Sequence, residues 1–215
     1  MGTHSRGARY RRASSAPDSF FAHESHHSRR MNYDLSQVYA PEADSVLLLE
    51  AARSEVRPDD LVLEVGTGSG LIAAELSRIA TVVATDISPH AVFCARDAGA
   101  DVVRTDLFAG MRGPFDLIVF NPPYLPTRPE ERLDDWLEHA LDGGKDGRAV
   151  IGRFAAGVGS VLAPGGRILL LVSSLTGIGE VQRLFADKGF LAIVVRQQEI
   201  EGEVLYVLKM TRKDS

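Results

Sequence analysis

The chain has 215 residues, 45% hydrophobic and 25% charged, with one cysteine and a formal net charge of −5. That length accommodates one domain with a good core, and the composition excludes collagen-like, low-complexity and largely disordered chains. Cys94 alone forms no internal disulfide, no Cys-x-x-Cys pair offers a structural zinc site, and no apolar run approaches the roughly 18 residues of a membrane span, so a soluble protein of a reducing cytosol is expected.

Residues 1–30 hold six Arg against two acids, a net +4, together with four of the six His and many Ser, and show no apolar periodicity. They read as a disordered basic arm. No apolar stretch follows the arginines, which argues against a secretory signal. His23, Glu24, His26 and His27 carry donor atoms for a metal, but an exposed His-rich tail is the plainer reading, and no metal site is assigned. Residues 31–215 hold 18 basic and 27 acidic side chains, a net −9, and are expected to form the single folded domain, with Met31 as its functional start.

Pro41, Glu42 and Asp44 open a helix, proline being tolerated and acids favoured in the first turn, with Val46, Leu47, Leu48 and Ala51 as its buried face. It ends near Arg57-Pro58. A strand at residues 61–65 runs into glycines and a helix over 71–79. Further strands follow at 81–85, 101–105 and 115–120, each stopping at a polar residue, with a helix over 89–98. Helices are predicted over 148–162 and 177–188, and a strand over 167–173. The last two strands, 191–198 and 203–211, are separated only by a turn at Glu201-Gly202, too short for a helical crossover, so they form an antiparallel hairpin. Apolar strands alternating with helices describe a mostly parallel sheet covered on both faces, with ligands expected beyond the carboxyl ends of the strands. Glu64, Asp86, Asp106 and Asn121 are therefore expected to face one crevice.

Glu64-Val65-Gly66-Thr67-Gly68-Ser69-Gly70 lies between strand and helix, where glycine lets the backbone turn tightly and approach a ligand. The spacing is Gly-x-Gly-x-Gly, not the dinucleotide pattern, and Glu64 would repel a pyrophosphate while suiting a ligand with a sulfonium and an ammonium. Asp86, twenty residues beyond Gly66, is placed to accept from ribose hydroxyls. Asp106 is placed to accept from an adenine amino group, and Leu107 to pack on the ring. Any one acid alone could be a helix cap; the set together resembles the class I S-adenosylmethionine-dependent methyltransferases from about Val38 to Lys209. That resemblance implies a Rossmann-like seven-stranded sheet of order 3-2-1-4-5-7-6, S-adenosylmethionine as cofactor, and cofactor contacts at Glu64, Gly66, Gly68, Asp86, Asp106, Leu107 and Asn121.

The fourth strand runs straight into Asn121-Pro122-Pro123-Tyr124. An amide or aromatic amine nitrogen is a poor nucleophile, because its lone pair is delocalised into a neighbouring π system. Acceptors beside its NH2 hold that lone pair toward the methyl donor, which is catalysis by positioning. The Asn121 side-chain oxygen and the Pro122 carbonyl are the expected acceptors, and Tyr124 the surface against the substrate group. No general base stands out. Val38-Tyr39-Ala40-Pro41-Glu42-Ala43-Asp44-Ser45 and Leu141-Asp142-Gly143-Gly144-Lys145-Asp146-Gly147-Arg148 narrow the resemblance to the release-factor glutamine methyltransferases, in particular their short archaeal and eukaryotic branch. This branch methylates the glutamine of the Gly-Gly-Gln motif in the class 1 translation termination factor. Its usual Pro-small-acid-Asp-Ser/Thr is altered here, acid and alanine being exchanged, so Glu42 is given no site role while Ser45 matches the cofactor-contacting hydroxyl. The branch also implies a small zinc-binding activator as heterodimer partner, expected on the edge strand over residues 100–105.

Competing readings are methylation of a nucleic-acid exocyclic amine, methylation of a protein lysine, and a non-catalytic cofactor-binding subunit. The acidic body lacks the basic groove that nucleic acid needs, and a binding-only module has no need of Asn121 to Tyr124. Trp136, amid acidic residues 130–138, reads as a lid or a solvated loop-helix; Cys94 reads as packing; His90 and His139 have no visible partners.

Overall fold

Strand residues alternate between two covered faces, and this alternation decides what surrounds the crevice. The computed structural model describes residues 33–127 and 135–213. Seven strands, β1 (Leu61–Val65), β2 (Thr81–Asp86), β3 (Val102–Arg104), β4 (Phe115–Phe120), β5 (Leu162–Ser173), β6 (Phe190–Ile200) and β7 (Glu203–Arg212), pair in the order β3-β2-β1-β4-β5-β7-β6. The pairs among the first five are parallel, and β7 is antiparallel to both its neighbours. The expected order and the expected C-terminal hairpin are both present.

Helices α1 (Ala43–Glu55), α2 (Leu71–Leu76) and α3 (Pro89–Asp97) cover one face; α5 (Ala149–Gly157) and α6 (Ile178–Ala186) cover the other, and a short α4 (Trp136–Leu141) follows the fourth strand. Val62, Leu117, Val119, Leu169 and Leu171 pack with Leu48, Leu76 and Ala95 on the first face. Leu63, Val65, Ile118, Phe120, Ile168 and Leu170 pack with Phe154 and Phe185 on the second. Each such side chain contributes about 1.5–3 kcal/mol by leaving water. Period two puts Glu64 on the face of Val62, and Asn121 on the face of Leu117 and Val119. Both therefore project toward the side where α1 begins.

Several bounds differ from expectation for local reasons. In α3, Ser88 caps the helix by accepting from the Ala91 N–H, and Pro89 holds the first position. α2 stops at Leu76, where the Ser77 hydroxyl donates back to the Ala73 carbonyl. α5 ends at Gly157, not near 162, and a 3-10 turn takes Val158–Ser160. β5 begins five residues earlier than predicted: Leu162 pairs with Phe115 and Arg167 with Leu117, so the Ala-Pro-Gly-Gly segment between them is an irregularity inside one strand. Val46, predicted as part of the buried face of α1, is exposed, and Leu49 and Ala52 are buried in its stead. The basic arm, Met31, and the His23, Glu24, His26 and His27 cluster lie outside the described residues.

Candidate active site

The loop after β1 places bare backbone at the carboxyl end of the sheet. Gly66 and Gly68 have φ of +65° and +54°, conformations that L side chains rarely adopt. A Cβ at Gly68 would find nothing closer than the Tyr39 carbonyl oxygen at 3.9 Å, so this stretch is open for close approach of a ligand. Its N–H donates to Asp86 Oδ2 at 2.9 Å, and Asp86 Oδ1 accepts from the Ser88 N–H at 2.8 Å. Burial raises the Asp86 pKa, although the N–H groups of Gly68, Ser88 and Ile87 oppose that rise. A carboxylate offers about four acceptor sites. Asp86 therefore braces the loop and keeps capacity for a ribose hydroxyl, and together with the open glycine backbone it fits the S-adenosylmethionine expected from the sequence.

Glu64 departs from the bare crevice carboxylate that its place before the glycines implied. It is buried beneath the loop, where the Thr67 hydroxyl donates to its Oε2 at 2.6 Å. Burial pushes its pKa up to about 8; the Thr67 hydroxyl and the Ala73 N–H pull it down, and nearby Asp86 adds a smaller upward push. Since the ordinary value is 4.5, the folded protein holds a proton here that the unfolded chain loses. The stability associated with that proton is fully present below pH 4.5 and is lost as pH rises toward 8. Glu64→Gln is expected to flatten the fall in stability between pH 5 and pH 8, a fall of at most about 1.4 kcal/mol per pH unit for one group. Urea titrations of both proteins across that range check it; parallel curves would refute the assignment.

Leu107 sits at φ +53°, a left-handed conformation that is strained for leucine, and its carbonyl accepts from the Thr85 hydroxyl at 2.7 Å. Asp106 is expected to accept from an adenine amino group. The structure also pairs it with Arg153 of α5, a partner that no spacing in the sequence reveals. Both side chains are about half exposed, so the pair is weak and a ligand can displace it.

A different residue becomes the centre of the reacting end. Asp44, read from sequence only as an acid suited to a helix start, is buried, and Asn121 Nδ2 donates to its Oδ2 at 3.0 Å. The Tyr39 hydroxyl donates to the same oxygen at 3.0 Å, and the Tyr124 hydroxyl lies 3.5 Å from it. Burial first, then Asp44, raises the Tyr39 pKa, so that phenol stays a donor. Ser45 is buried beside this group, its N–H and hydroxyl both donating to Asp44 Oδ1 at 2.6 and 3.2 Å. Asn121 Oδ1 is buried and, among the described residues, has no hydrogen-bond partner. Such an orphaned acceptor costs on the order of 1–3 kcal/mol and marks a place for a donor. Pro122 is buried next to it.

The two motifs about twenty residues apart form one surface. Gly143 N–H donates to the Leu125 carbonyl at 2.9 Å, and the Thr127 N–H donates to the Gly144 carbonyl at 3.0 Å. A Cβ at Gly143 would lie 2.9 Å from the Tyr124 carbonyl carbon, and one at Gly147 would strike the Tyr124 oxygen. Glycine at these two places lets the second segment lie directly against the Asn-Pro-Pro-Tyr turn. Nearby, Trp136 donates its backbone N–H to Gln37 Oε1 and stacks under Arg104. His90 Nδ1 accepts from the Asp34 N–H, and His139 packs against the Trp136 ring.

Known proteins are similar to this chain in sequence and fold. The methyltransferase small domain family matches residues 40–135. A candidate protein N5-glutamine methyltransferase of Methanocaldococcus jannaschii is 38% identical, over 82% of this chain and 92% of its own. Methyltransferase HEMK2 of Homo sapiens is 34% identical, over 82% of this chain and 91% of its own. Among solved structures, the E. cuniculi Mtq2-Trm112 complex, responsible for methylation of the eRF1 translation termination factor, contains a chain 31% identical with a TM-score of 0.70, over 83% of this chain and 99% of that one.

Proposed function

The chain belongs to the protein N5-glutamine methyltransferase family, and on that premise we propose that it methylates the side-chain nitrogen of the glutamine in the Gly-Gly-Gln motif of a class 1 translation termination factor. S-adenosylmethionine, when bound, supplies a methyl group on a positively charged sulfur. The residues that would hold it are Gly66 and Gly68 through bare backbone, Asp86 at the ribose, Asp106 and Leu107 at the adenine, Ser45 and Asn121 at the reacting end, and Glu64 beneath the loop.

The observation that carries this reading is the orphaned Asn121 Oδ1. It accepts one hydrogen of the glutamine NH2 and the Pro122 carbonyl accepts the other, which turns the nitrogen lone pair toward the methyl. Tyr124 lines the same turn. Asp44 already receives Tyr39 and Asn121, and the product loses its proton to water. Residues 31–215 carry this activity without the basic arm, in the cytosol where translation ends.

A small zinc-binding activator is proposed on the edge strand β3, which among the described residues pairs only with β2. The expected strand over 100–105 is shortened to three residues, but apolar side chains flank it: Ile87, Phe93 and Val103 are 43%, 41% and 42% exposed. An unpaired edge beside such side chains suits strand addition, and the E. cuniculi relative is a complex with Trm112. Val103→Asp is expected to abolish co-purification with the partner and leave the isolated chain folded; pull-down with circular dichroism checks it, and undiminished capture would refute the edge.

The substrate is tested by adding labelled S-adenosylmethionine to the chain with its zinc partner and a termination factor, wild type or with the motif glutamine changed to alanine. Label is expected on the wild-type factor alone. Equal labelling of both factors, or labelling of nucleic acid only, would overturn the reading.

A further inference from the structure

A carboxamide has two limbs of nearly equal shape and opposite chemistry. Rotating the Asn121 side chain by half a turn would exchange its oxygen for an NH2, and an NH2 facing the NH2 of a substrate amide sets donor against donor. Something must therefore choose the limb. A carboxylate can only accept, so a carboxylate on one side of Asn121 admits only the NH2 limb there. Asp44 Oδ2 occupies that place, 3.0 Å from Asn121 Nδ2.

The surroundings of Asp44 are built for this task and exceed what a helix start needs. Ser45, through its N–H and hydroxyl, engages Oδ1. Oδ2 is held by the Tyr39 hydroxyl at 3.0 Å, with the Tyr124 hydroxyl 3.5 Å away. The carboxylate is 3% exposed, so water does not compete for it. Five groups on four residues, from the two stretches Tyr39–Ser45 and Asn121–Tyr124, converge on one acid. The limb they leave over is Asn121 Oδ1, buried and without a partner among the described residues.

We propose that Asp44 is a positioning residue: by accepting from Asn121 Nδ2 it fixes the carboxamide so that Oδ1 is the atom offered to the incoming NH2. The proposal rests on the acceptor being an amide NH2, as above. It also gives a physical reason for the Asp-Ser pair at the start of α1, seventy-seven residues from Asn121.

Asp44→Asn keeps size and hydrogen-bonding capacity but can face either limb of Asn121. The expected result is a kcat lower by about 10- to 100-fold, an unchanged KM for S-adenosylmethionine and an unchanged melting temperature. Asn121→Asp sets two carboxylates against each other and loses more. The double variant Asp44→Asn with Asn121→Asp restores a donor and an acceptor with roles exchanged, and its new carboxylate offers oxygen in either orientation. It is expected to exceed Asn121→Asp alone by about tenfold or more.

A second readout needs no substrate. The side-chain 15NH2 resonances of Asn121, assigned by their loss in Asn121→Ala, are expected to be protected from exchange in the wild type and to lose protection in Asp44→Asn. Unchanged protection in Asp44→Asn, wild-type kcat in that variant, or a double variant no better than Asn121→Asp would each overturn the proposal. A wild-type enzyme that labels no termination factor refutes the substrate reading alone, and the resonances still decide the role of Asp44.

Discussion

Asn121→Ala is expected to lower kcat by about 100- to 1,000-fold, the usual effect of removing one hydrogen-bonding group that acts on the reacting centre. S-adenosylmethionine affinity should stay within about threefold, because most of the proposed cofactor contacts fall on the glycine loop and Asp86 and not on Asn121. The stability of this variant carries a second expectation. Asn121 Oδ1 is a buried acceptor without a donor, and removing it relieves that cost. Asp44 loses one donor but retains Tyr39 and both groups of Ser45. The variant should therefore melt no lower than the wild type, a residue kept for activity at the expense of stability. Single-turnover labelling, calorimetric titration of the cofactor and a thermal melt check the three parts. A large loss of cofactor affinity would show that Asn121 serves binding first.

The architecture was legible because strand alternation and turn length are local. Leu61–Val65, Phe115–Phe120 and the turn at Glu201-Gly202 stand in the structure where the pattern put them, and the order of the sheet follows the family resemblance. What was illegible depended on contacts between distant residues. The pairing of Asp106 with Arg153 is invisible in the sequence because the two lie forty-seven positions apart with nothing in the pattern to link them. β5 begins at Leu162 and not at Arg167 because the sheet absorbs Ala163, Pro164, Gly165 and Gly166 as an irregularity inside the strand. Asp44 was assigned to the helix dipole, a local explanation that sufficed for its position and concealed its contacts with Tyr39, Asn121 and Tyr124. One signal was available: Asp and Ser remain in place at the first helix even though the preceding acid and alanine are exchanged. Continuing the period of Leu117 and Val119 by one step places Asn121 toward α1, and therefore toward that aspartate.

Asp86→Ala is expected to weaken S-adenosylmethionine binding by about 100-fold or more. Hydrogen bonds to a charged acceptor contribute about 1.5–3 kcal/mol each, and loss of two such bonds to ribose gives an effect of at least that size. The substitution also frees the Gly68 N–H, which Asp86 Oδ2 holds at 2.9 Å, so the loop loses the brace that keeps its bare backbone in place. Fold stability should change far less than affinity. Burial raises the pKa of Asp86, so ionising this group costs free energy in the folded state, and removing it offsets the loss of its bonds to Gly68 and Ser88. The combination separates a ligand-holding acid from a helix cap. A cap replaced by alanine would cost about 1 kcal/mol of stability and leave cofactor affinity alone. In α3 that task already belongs to Ser88, which accepts from the Ala91 N–H. Titration calorimetry with a parallel denaturant melt decides between the two: a loss of affinity under about fivefold, accompanied by a clear drop in stability, would make Asp86 a structural residue and move the ribose elsewhere in the crevice.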